Sequence, residues 1–102
     1  MTSHNPLTAP AIFTREEMAS RIPAMPDGWT HVDDLALMHG LALGMKLGEI
    51  GAMQGKSLDA MQQRFLHLRR AAVGHGVFTV PAQERLTEIL EDRARLVGAG
   101  VP

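Results

Sequence analysis

The chain has 102 residues, no cysteine, few aromatic residues and a formal net charge of −1. Such a length allows one small domain with a single hydrophobic core, and the lack of cysteine excludes disulfides and thiolate metal sites. Near-neutral charge excludes strong non-specific attraction to polyanions. The apolar residues are mainly Leu, Ala, Met, Ile and Val, a mixture that favours packed helices over a sheet sandwich.

The first residues lack a basic region followed by an apolar run, so no signal peptide is expected. The longest apolar stretch, Leu35 to Gly48, is broken by His39 and Lys46 and is too short to span a bilayer. A soluble, cytoplasmic protein with no membrane partner is the expectation.

Taken in chain order, residues 1–12 hold two prolines and no periodicity, which predicts a flexible tail. Residues 13–28 predict a short helix and a linker. Thr14 can cap the amide three residues on, Glu17 can reach back, and Phe13 can staple onto Met18. The helix stops near Ile22, ahead of the turn-rich run P-A-M-P-D-G at 23–28.

Residues 29–72 predict three helices. Thr30 caps the first, with Asp33 and Asp34 suiting the dipole of its opening turn. Leu37, Leu41 and either Val32 or Asp34 share a face near Trp29, and Gly44 is the predicted C-cap. Leu47 to Met53 gives two turns bearing Leu47, Ile50 and Met53 or Gln54, ended by Gly55. Ser57 caps the third helix, which runs from Leu58 to about Ala72 with Met61, Phe65 and Leu68 inward. Residues 73–102 predict a loop and a C-terminal helix that begins after Thr79, carries Pro81 in its first turn and stops at Gly98. Its stripe of Leu86, Ile89 or Leu90, Arg93 and Leu96 suits covering the core, or a homodimer through helix 81–97.

An all-α fold follows, with a tri-helical helix-turn-helix core and one flanking helix on each side. A short, rigidly backed helix with a polar outer face fits the major groove, where each base pair shows a distinct donor and acceptor pattern. The third helix has that form. Gln62, Gln63, Leu66, His67 and Arg70 take outward or flanking positions. Glutamine can bond adenine through two atoms, His67 can reach a guanine acceptor, and Leu66 can pack on a thymine methyl. Lys56, Ser57, Arg64 and Arg69 are better placed for phosphates. Lys56, Arg64, Arg69 and Arg70 lie within fifteen positions, opposed only by Asp59, and form a local basic edge.

On Trp29-Thr30, Asp33-Asp34, Leu37, Leu41, Gly44, Glu49-Ile50, Gly55, Ser57, Ala60-Met61, Arg64-Phe65 and Leu68, the segment from Trp29 to Leu68 resembles the Myb/SANT group of DNA-binding domains. It is most similar to the short bacterial variant at the start of GcrA-type transcription regulators. The resemblance covers about forty of the 102 residues. With Phe65 at the aromatic position of the third helix, it implies base contacts at Gln62, Gln63, Leu66 and His67. Phe65 stands where tryptophan is more usual, and Leu66 is apolar where base readers are often polar. GcrA-type proteins engage an RNA polymerase sigma factor through a separate C-terminal region, and nothing in Phe78 to Pro102 matches it.

Other signals are weaker. Gly51 to Ser57 has three residues between its glycines where a phosphate-binding P-loop needs four, and the preceding residues read as helix. Gly40, Gly44 and Gly48 repeat every fourth residue, which fits a tight turn and close helix approach. The five histidines lack ligand spacing. The acidic pairs Glu16-Glu17, Asp33-Asp34 and Glu91-Asp92 are adjacent on helices and do not face one another. Met38, Met45, Met53 and Met61 read as core filling. No enzyme, cofactor or metal is therefore expected.

The function expected from these residues is sequence-specific recognition of double-stranded DNA by a bacterial or phage transcription regulator. RNA polymerase or another transcription factor is the expected protein partner. The alternatives are a polymerase or phage-assembly adaptor that uses the same helices without DNA, and a small terminase subunit.

Overall fold

Capping chemistry sets the first boundary in the computed structural model, which describes residues 12–98. The Thr14 hydroxyl accepts from the Glu17 amide at 3.1 Å, and the Glu17 carboxylate accepts from the Thr14 amide at 2.9 Å. That reciprocal pair starts α1 (Arg15–Arg21), and Ile22 caps it ahead of Pro23. The tail expected over residues 1–12 lies outside the described residues, except for half-buried Ile12.

Thr30 and Asp33 make a second reciprocal cap for α2 (His31–Ala42). At its far end the Met45 amide donates to the Gly40 carbonyl and the Gly44 amide to that of Leu41, a Schellman pair. The two-turn helix α3 (Leu47–Gln54) closes at Gly55, whose φ of +69° would crowd a side chain against its own carbonyl. The Ser57 hydroxyl then accepts from the Ala60 amide at 3.1 Å and opens α4 (Leu58–Val73). Thr79 does the same for Ala82 at 3.3 Å at the head of α5 (Val80–Gly98). Among the described residues there is no strand, and the fold is all-α.

One hydrophobic core draws on all five helices. Met18, Leu37, Met38, Ile50, Met61, Leu68, Leu86, Ile89 and Leu90 are buried in it together. α3 packs on α2 and α4, α1 packs on α4 and α5, and α2 makes its largest contact with α5. The approach of α3 to α4 depends on Gly51. A Cβ there would stand 2.8 Å from Met61 Cγ and 2.9 Å from the Lys56 carbonyl oxygen, closer than real contacts allow.

Several expectations are corrected by this packing. Leu86, Ile89 and Leu90 are buried against the chain's own helices. This part of the stripe therefore covers the core, the first of the two uses expected of it, and is not free to form a homodimer through helix 81–97, while Leu96 is 48% exposed. Asp34, not Val32, takes the inward place on α2, while Val32 is 63% exposed. Of the methionines read as core, Met38 and Met61 are buried and Met45 is half-buried, but Met53 is 78% exposed. In α3 the buried residues are Ile50 and Gly51, and Gln54 lies half-buried with its amide donating to the Asp33 carbonyl at 3.2 Å.

Candidate nucleic-acid interface

Helical spacing sorts α4 into two faces. Met61, Arg64, Leu68, Ala71 and Ala72 are buried, and Phe65 is half-buried with its ring 5.9 Å from that of Phe78. Gln62, Gln63, His67 and Arg70 are exposed, and Leu66 and Arg69 are half-buried at the margin. Positions 59, 62, 63, 66, 67 and 70 recur every three or four residues and so form one continuous outer stripe. Four of the residues expected to touch bases or phosphates therefore stand together on it with Leu66: Gln62, Gln63, His67 and Arg70. None of these four lies beneath another segment.

Arg64, expected at a phosphate, is a correction. Its side chain is 1% exposed. Nε and Nη2 donate to the two carboxylate oxygens of Asp34, each at 2.7 Å, and Nη1 donates to the Pro23 and Ala24 carbonyls at 3.1 and 3.4 Å. Asp34 also accepts from the Trp29 indole at 2.7 Å. Two buried charges are tolerable only when paired and fully hydrogen-bonded, and this fork geometry meets both conditions. It joins the linker before α2, α2 itself and α4 at one point.

Lys56 is also engaged. Its ammonium donates to the Gly28 carbonyl at 2.6 Å, lies 3.6 Å from Asp33 Oδ2 and sits 5.4 Å over the Trp29 ring. Ser57 is exposed, and its hydroxyl is occupied by the Ala60 amide. Most other cations have internal partners too. Arg15 pairs with Glu88, Arg95 with Asp92, and Arg85 and Arg93 donate to the Phe13 and Ala19 carbonyls. Arg21 lies 4.0 Å over the Phe13 ring. Among the described residues, Lys46, Arg69 and Arg70 carry cationic groups with no hydrogen bond or ion pair. The basic edge thus shrinks to Arg69 and Arg70, with Asp59 at the opposite end of the helix.

The chain matches no known family model, no curated protein and no solved structure. Its chemistry has to be judged from its own residues. The outer stripe offers two amides, an imidazole, a partly exposed leucine and an adjacent pair of arginines. Such groups bind by hydrogen bonding and apolar contact, with little long-range attraction.

Sequence reasoning missed the joint at Asp34, Arg64 and Trp29. A signal was present: Arg64 falls three after Met61 and four before Leu68, so the inward period runs through it.

Proposed function

We propose that this chain is a sequence-specific DNA-binding protein, a transcription regulator of bacterial or phage origin that acts in a bacterial cytoplasm. In this reading α2, α3 and α4 form a tri-helical helix-turn-helix core, and α4 lies in the major groove. One observation supports it above the others: Gln62, Gln63 and His67 share an exposed face of a helix whose opposite face is fixed by Met61, Leu68 and the Arg64–Asp34 pair. A rigid backing is what lets side chains meet base edges in register.

The roles follow from donor and acceptor chemistry. Gln62 and Gln63 bond adenine, His67 donates to a guanine acceptor and Leu66 meets a thymine methyl. Arg69, Arg70 and the α4 start at Ser57 hold phosphates. A single core of this size reads few base pairs, so selectivity in a genome requires a partner such as RNA polymerase or another transcription factor.

Selection from a random duplex pool tests the proposal. An enriched motif is expected, and Gln63→Ala should relax preference at one position, costing about 1–3 kcal/mol there. A pool that never enriches sinks it. A second reading, an adaptor that binds protein through the same helices, is favoured by the internal pairing of most cations. In that case no duplex would be retained even at low salt.

A further inference from the structure

No residue of α4 lines the open groove of about 490 Å³ that runs between α2 and α5. Leu41, Ala42 and Val80 give it an apolar lining over the buried Met38, and Val80 is 63% exposed. Along its α5 wall stand Glu84, Glu88 and Glu91, spaced by four and three residues, so a single helix stripe carries all three carboxylates. Like charges at that spacing repel and cost the helix stability unless something answers them.

The molecule answers them only in part. Arg15 pairs with Glu88, and His39 comes no closer to Glu91 than 4.0 Å. Among the described residues Glu84 has no ion pair. An apolar channel bordered by incompletely neutralised acids complements a helix with one apolar stripe and flanking cations. From Val80 to Glu91 the wall extends about 17 Å, the length of roughly three helical turns.

We propose that this groove docks a basic amphipathic helix of another protein. The partner seats its apolar side chains against Leu41, Ala42 and Val80 and sets Lys or Arg opposite Glu84 and Glu91. The inference is independent of DNA binding.

Amide chemical shifts of the full-length protein test it, with three designed helical peptides of about fourteen residues. The first has a Leu stripe flanked by Lys, the second replaces Lys with Glu, and the third keeps the first one's composition but scatters the Leu. Only the first should shift the amides of Leu41, Thr87 and Glu91, with at least about tenfold tighter binding than the other two at low salt. Glu84→Lys with Glu91→Lys, both at exposed positions, should reverse the preference between Lys and Glu peptides while circular dichroism stays unchanged. Val80→Glu should weaken binding of the first peptide and leave the helix content intact. Equal binding of the scattered peptide, shifts confined to other surfaces, or no shift at millimolar peptide would each overturn the proposal. So would a concentration-dependent dimer that closes the groove in sedimentation.

Discussion

Arg64→Met strands the Asp34 carboxylate in the core with only the Trp29 indole for company. Removing one partner of a buried pair costs about 3–5 kcal/mol, against about 1 kcal/mol or less for an exposed pair such as Arg95 with Asp92. Denaturant titration should show that loss, and Asp34→Leu combined with Arg64→Met should recover most of it, because the apolar pair leaves no uncompensated charge. Glu17 gives a second residue-scale test. The Thr14 backbone amide, then its hydroxyl, holds the Glu17 carboxyl below its ordinary value of 4.5. A depressed folded-state value stabilises α1 above the ordinary value, and that support fades as pH falls through the lower, folded one. Thr14→Ala should move the Glu17 midpoint upward in a carbon-detected NMR titration. Such caps were legible because donor and acceptor stand three residues apart. The Asp34–Arg64 pair was not, because its halves lie thirty positions apart and charge alone suggests solvent.

Elements meet most tightly where α3 turns into α4. Gly51→Ala gains about 1 kcal/mol of helix propensity but drives a methyl against the Lys56 carbonyl, a backbone atom that cannot swing aside. Overpacking of this kind costs about 1–3 kcal/mol, so a net loss in melting temperature is expected. On α5, Leu86→Glu with Leu90→Glu should abolish the cooperative thermal transition, not yield a stable monomer, since both side chains are wholly buried. The boundaries of all five helices were readable from caps, prolines and glycines. What α5 covers was not readable, because an apolar stripe looks the same whether it meets its own core or a second molecule. Met53 shows the converse: a helical period of methionines included one side chain that the short α3 leaves in water.

For the whole molecule, the distribution of charge decides how the proposed reader behaves. With Arg69 and Arg70 as the unpaired cations on α4, the logarithm of duplex affinity should fall against the logarithm of salt with a slope of about −2, and Arg69→Ala or Arg70→Ala should each remove about one unit. That is shallow for a protein that finds its site by electrostatic sliding, and it places the weight of recognition on close contacts. The sequence showed a cluster of four basic residues. Only the folded chain shows that two of them are spent on internal bonds. The Asp34 joint has a practical consequence as well. Its indole is the sole tryptophan, hydrogen-bonded to the carboxylate that anchors α4. Emission from this fluorophore therefore serves as a native gauge of whether the helix is seated, and a spectral shift on adding any ligand would register displacement of that helix with no label attached.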